Sequence, residues 1–184
     1  MHGPAALTHK TAVVLIPPED VWEQIQALRR RYDRHVARWM PHVTLLYPFR
    51  PVTEFAAALP TLEAACRACP PFEVELAQFR FFAHGARGFT MWLAPEPRAE
   101  LVQLHAALLA VAPECDDTAR GPQGFTPHLS VGQAPDRRTL DALLTSFRAA
   151  WRPLRFRAAC ASLIARDDPP ADVFRVEREI ALGK

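Results

Sequence analysis

The chain carries one five-residue pattern twice, as Pro41-His42-Val43-Thr44-Leu45 and Pro127-His128-Leu129-Ser130-Val131. Each copy runs Pro-His-aliphatic-hydroxyl-aliphatic, and the two histidines stand 86 positions apart. In a β-strand, residues i and i+2 share a face. His42 and Thr44 therefore point one way with Val43 and Leu45 behind them. His128 and Ser130 repeat the arrangement over Leu129 and Val131. Two such strands side by side present two imidazoles and two hydroxyls to one cleft, backed by apolar core.

The surroundings of the motif are duplicated as well. Thr11 to Ile16 is a compact apolar run that predicts a buried strand. Pro17-Pro18-Glu19-Asp20 then opens a helix, with proline and acid at the N-terminal end that favours them. Val21, Trp22, Ile25 and Leu28 supply its apolar stripe, and Arg29-Arg30-Arg31 read as its wet face and basic end. The first motif strand is expected over Pro41 to Phe49. A helix from Thr53 follows, broken or restarted by Pro60, and then an alternating strand over 72–82.

The second half replays this order. Thr90 to Leu93 is a short strand, Pro95-Glu96-Pro97 opens a helix striped by Leu101, Leu104, Leu108 and Val111, and the second motif strand spans Thr126 to Val131. A helix over Arg137 to Trp151 and a long strand over Leu154 to Ala165 complete the repeat, and a closing strand spans 173–182. The expected fold is α+β and internally duplicated. Two pseudosymmetric α/β lobes with antiparallel-rich sheets flank a central groove, within a single domain over 1–184. The lobe-forming repeats lie at about 11–82 and 90–166. A pseudo-twofold axis between them brings the two histidines together.

At 184 residues, 49% hydrophobic and 23% charged, the chain suits one domain with a real core. No apolar run approaches the roughly 20 residues of a membrane span, and no signal-peptide pattern opens the chain. The expectation is a cytoplasmic protein with no membrane partner. A formal charge of +2 announces no nucleic-acid coat. Cys66-x-x-Cys69 closes a predicted helix, and Cys115 and Cys160 stand apart, so buried thiols are expected rather than a zinc or redox site. A duplicated chain supplies its own twofold and is expected to be a monomer.

Near neutral pH, two histidines can hold opposite protonation states, one accepting a proton while the other donates. Phosphodiester cleavage needs both services. Thr44 and Ser130, weakly acidic, are placed to donate hydrogen bonds to the non-bridging oxygens, where transition-state charge collects. Such a reaction calls for no cofactor and no metal, and no carboxylate cluster stands ready to hold one. Phe125, in the loop entering the second motif, is the best candidate for stacking on a base, while Tyr47 falls on the core side. Arg50, Arg80 and Arg120 could meet a phosphate backbone, each being read first as a solvated surface charge. His2, His9, His35, His84 and His105 have no partner spacing and read as surface or structural residues.

The paired motifs within a duplicated α/β unit resemble the two-histidine phosphoesterase superfamily. The branch most similar is the bacterial 2'-5' RNA ligase-like proteins, or RNA 2',3'-cyclic phosphodiesterases. The resemblance implies a bilobal fold and metal-independent cleavage of 2',3'-cyclic phosphates or 2'-5' linkages, or ligation in reverse. RNA ends or small cyclic nucleotides would be the substrates. It makes His42 and His128 the catalytic pair, with His42 as acid and His128 as base, and Thr44 and Ser130 the phosphate-binding hydroxyls. Many relatives carry an arginine shortly after the second motif, where this chain has Gly132-Gln133, which leaves the exact substrate open. The alternatives are a non-catalytic nucleotide-binding module of the same fold and a metal-dependent hydrolase.

Overall fold

The computed structural model describes residues 6–121 and 124–183. The unbroken aliphatic run near the start forms β1 (Thr11–Leu15), buried along its whole length. One 3₁₀ turn over Glu19–Val21 leads into α1 (Trp22–Tyr32). The first motif strand is β2 (Val43–Leu46), and α2 (Phe55–Arg67) and β3 (Phe72–Ala83) follow it. The second half runs β4 (Phe89–Glu96), α3 (Arg98–Val111), β5 (Leu129–Ala134) and α4 (Arg137–Ala150). Three strands finish the chain: β6 (Leu154–Ala158), β7 (Cys160–Ala165) and β8 (Arg175–Ala181).

The strands form two antiparallel four-stranded sheets, ordered β2-β1-β7-β8 and β5-β4-β3-β6. The two orders coincide when the halves are superposed in sequence, since β2 matches β5, β1 matches β4 and β7 matches β3. The protein is thus the expected α+β fold of two lobes. The lobes do not follow the repeat boundaries, however. β3, which ends the first half, pairs with β4 of the second, and β7 pairs back with β1. Each half lends its last long strand to the other's sheet, and one hydrophobic cluster runs through both lobes, from Leu15 and Leu45 to Leu93 and Leu129.

Two local expectations need correction. The strand predicted over Leu154 to Ala165 is two strands in different sheets, β6 paired with β3 and β7 with β1. The residues mark the change: β6 alternates arginine with apolar residues as an exposed edge does, whereas Ala161 to Ala165 are buried without a break. Pro60, expected to break a helix, lies inside a continuous α2. Its ring faces solvent, while Phe55, Ala58, Leu62 and Cys66 anchor the opposite face, so packing outweighs one missing hydrogen bond.

Helix α1 belongs to the first half but packs on β5 of the second. The contact is so close that a Cβ on Gly132 would stand 2.6 Å from Tyr32 Cβ. Glycine is needed there for the approach of helix to strand. The C-terminal end of α1 is thereby held beside the second motif. Asp136 caps α4, accepting from the Thr139 backbone N–H at 2.8 Å.

The four cysteines carry free thiols, three of them buried. Burial pushes the Cys66 and Cys115 thiols up to about 12, which keeps them protonated and unreactive. No helix among the described residues is long and apolar enough to cross a membrane.

Candidate active site

Each motif histidine precedes its strand by one residue, so the expected strands are shorter at this end than their sequences implied. The two rings are held in the same way. His42 Nδ1 lies 2.7 Å from the Met40 carbonyl and His128 Nδ1 lies 2.8 Å from the Thr126 carbonyl, two residues back in both cases. A carbonyl only accepts, so Nδ1 is the donor and carries the hydrogen. The lone pair of each neutral ring then sits on Nε2. Both histidines line one cavity of about 310 Å³ between the lobes, together with Ser130. Thr44 is half-buried on β2 and is not among the residues lining this cavity.

Arg29 and Asp33 form a buried ion pair in this wall. Arg29 Nε donates to Asp33 Oδ2 at 3.0 Å, Arg29 Nη2 lies 3.0 Å from the same oxygen, and both side chains are 3% exposed. Asp33 Oδ1 accepts from the His35 backbone N–H at 2.9 Å and from Gln133 Nε2 at 3.2 Å. Gln133 Oε1 in turn accepts from the Arg34 backbone N–H. Gln133 thus ties the end of α1 to the second motif strand, while the guanidinium beside the histidines comes from α1. Arg29 was expected on a wet helix face. It lies instead one turn after Ile25, the other buried residue of α1, with Asp33 one turn further on.

Burial pushes the His42 pKa down to about 4. The Arg29 and His128 charges add to the depression, and the Met40 carbonyl and Asp33 oppose it. Burial also lowers His128, against the Thr126 carbonyl. In the free site both rings are therefore neutral at pH 7. This has a consequence for the fold. The unfolded chain binds a proton at His42 near pH 6.5 and the folded chain only near 4, so stability is fully present above 6.5 and declines as pH falls towards 4. The loss attributable to this group reaches about 3 kcal/mol. Urea denaturation at pH 7 and 4.5 should show the decline, and His42→Gln should flatten it.

Aromatic rings support each histidine. Trp39 stacks on His42 at 4.7 Å between ring centroids and on Phe174 at 3.8 Å. On the other side, Phe82 meets His128 edge-on at 4.9 Å and stacks on Trp92 at 4.8 Å. Trp39 and Trp92 were not singled out from the sequence. Trp92 follows only once the strands are paired, since it stands opposite Ser130 on one side and, on the other, opposite Arg80, which shares a face of β3 with Phe82.

Phe125, expected to stack on a base, is in the core. It is 7% exposed and lies flat on the His105 ring at 3.9 Å. The extended segment explains this: Phe125, Pro127 and Leu129 are buried, while Thr126, His128 and Ser130 face the groove side. His105 is structural. The Thr118 hydroxyl spends its hydrogen on the Leu45 carbonyl, so His105 Nε2 donates to Thr118. Arg50 is paired with Glu114, and Arg120 with Asp116 and Asp117, and neither lines the cavity. Arg80 has no carboxylate partner among the described residues. His84 and His35, read as surface residues, sit at the cavity wall, His84 Nε2 lying 2.9 Å from Thr90 Oγ1.

A model of the 2'-5' RNA ligase superfamily matches residues 17–170. Among curated proteins, the chain is 28% identical over 127 residues to a Geobacillus kaustophilus protein, covering 67% of this chain and 69% of that one. It is 30% identical over 127 residues to a Bacillus pumilus protein, covering 67% and 70%. Both are named "putative phosphoesterase". Among solved structures, Escherichia coli LigT complexed with phosphate superposes with a TM-score of 0.63 at 19% identity, covering 97% of this chain and all of LigT. A Thermus thermophilus protein gives 0.63 at 20% identity, over 95% and 99%.

Proposed function

Because the chain belongs to the 2'-5' RNA ligase superfamily, we propose that it is a metal-independent phosphodiesterase opening 2',3'-cyclic phosphates at RNA ends or on nucleotides to 2'-phosphates. The observation that carries this reading is the matched pair of imidazoles. Each donates through Nδ1 to a carbonyl and has Nε2 as its free nitrogen, and both border one cavity. One Nε2 takes a proton from water as the water oxygen attacks phosphorus. The P–O3' bond breaks, and the other Nε2, protonated beforehand, gives its proton to the departing O3'. The reaction then leaves the first ring charged and the second neutral, and exchange with solvent resets them.

Charge on the non-bridging oxygens is met by the Ser130 hydroxyl at the cavity wall, with the Arg29 guanidinium behind, and the resemblance assigns the same role to Thr44, which lies on β2 outside the cavity lining. LigT, a neighbour in fold, is known in complex with phosphate and with 3'-AMP, which agrees with a phosphate-binding groove of this shape. Cleavage of 2'-5' linkages and ligation in reverse would use the same two nitrogens. A short RNA ending in a 2',3'-cyclic phosphate, incubated with the protein in EDTA, should give a 2'-phosphate by phosphorus NMR. Ser130→Ala and Thr44→Val should slow it by roughly 10²–10³-fold. Binding of the RNA end without turnover would instead favour a nucleotide-binding module.

A further inference from the structure

Beside the catalytic cavity, and sharing Phe82 with it as a wall, lies a second cavity of about 490 Å³. Arg80, Trp92 and Thr126 line both it and a smaller hollow that reaches Arg98. Resting on the phosphodiesterase reading, we propose that this second cavity holds the nucleotide next to the reacting end, so that the protein acts on polynucleotide ends in preference to free cyclic mononucleotides.

The sheet register carries the argument. Ser130 on β5 stands opposite Trp92 on β4, and Trp92 stands opposite Arg80 on β3. This row crosses the sheet from the catalytic hydroxyl to a guanidinium over two strand spacings, about 10 Å. That is the scale of one nucleotide and its flanking phosphate. Along the row the chemistry suits a nucleotide: a hydroxyl, then the half-exposed Phe82 ring over Trp92, then a cation. The nearest side-chain partner of Arg80 is Gln78 Oε1 at 3.4 Å, a weak contact that leaves its charge available to a phosphate. Arg98 donates to the Phe125 carbonyl and likewise has no carboxylate partner among the described residues. One carboxylate, that of Glu96, lines the smaller hollow, and its Oε2 accepts from the Arg98 backbone N–H.

Two further observations point to an occupant. Trp92 is 4% exposed, and its indole N–H is buried without an acceptor among the described residues. Buried donors are normally satisfied, and this unmet one belongs to a residue that lines the second cavity. Thr126 lines the cavity and also provides the carbonyl that fixes the His128 tautomer. One residue thus borders the second cavity and holds the catalytic ring, which links recognition of a longer chain to chemistry at its end.

The test is direct binding, so that it does not depend on turnover. A fluorescently labelled RNA tetranucleotide ending in a 3'-phosphate is titrated against the wild-type protein, and the matching mononucleotide 3'-phosphate competes with it. The expected result is a roughly tenfold or greater preference for the tetranucleotide, the size of one charge-assisted contact. Arg80→Ala should collapse that preference and flatten the salt dependence of tetranucleotide affinity by about 0.7 in log–log slope, one phosphate contact. Arg80→Lys should restore most of both. Equal affinities for the two ligands, or an Arg80→Ala protein with the wild-type preference, would overturn the proposal. If the preference holds but no cyclic phosphate is opened, the catalytic reading fails and the second subsite stands.

Discussion

Alanine at either His42 or His128 is expected to abolish detectable opening of a 2',3'-cyclic phosphate, each loss being about 10²–10⁴-fold. The fold should survive, because both rings face the cavity and the apolar residues beside them, Val43 and Leu129, stay in place. Circular dichroism separates the two effects. The pH dependence is equally specific. The working form needs one ring neutral and the other charged, yet both pKa values are lowered from 6.5, that of His42 to about 4. The bell in kcat/KM, which reports the free enzyme, should therefore centre on the acid side of 6.5.

The same two variants assign the roles. The resemblance makes His42 the acid, but the groove favours the opposite division. Arg29 lies near His42 and opposes its protonation, whereas no cation adds to the lowering of His128. A nucleoside phosphodiester with p-nitrophenolate as leaving group needs no acid. It should restore turnover in His128→Ala and not in His42→Ala. Recovery in His42→Ala instead would return the assignment to the one the resemblance implies. Full activity on the cyclic phosphate in either variant would sink the two-histidine mechanism.

Much of this site is legible in the chain because strand parity is a local rule. The repeated Pro-His-aliphatic-hydroxyl-aliphatic segment places a histidine and a hydroxyl on one face wherever it folds, and the duplication supplies the reason the two copies meet. What could not be read locally was pairing. Nothing in Phe72 to Ala83 says that this strand joins the sheet of the other half, and that pairing is what sets Phe82 beside His128 and Arg80 opposite Trp92. Arg29 illustrates a second limit. Within an arginine run it reads as solvated, and only its place one turn after Ile25 and one turn before Asp33 hints at burial. Phe125 is a misreading that parity would have prevented, since it alternates with His128 on the opposite face.

Asp33→Ala should cost about 3–5 kcal/mol of stability, the penalty for leaving one partner of a buried ion pair uncompensated. Three hydrogen bonds converge on this carboxylate, one each from Arg29, the His35 backbone and Gln133, and the Arg29 Nη2 ion-pair contact adds to them. Its removal also loosens the tie between α1 and the second motif strand. A double replacement, Arg29→Met with Asp33→Leu, removes both charges and should recover most of the loss in urea denaturation. The two proteins should differ in the opposite sense at the active site. Asp33→Ala leaves an unopposed guanidinium near His42 and lowers its pKa further, whereas the double variant removes the cation and lets it rise. The acid limb of kcat/KM should accordingly move down in the first and up in the second. Identical shifts in both would show that the pair holds the groove together without tuning His42.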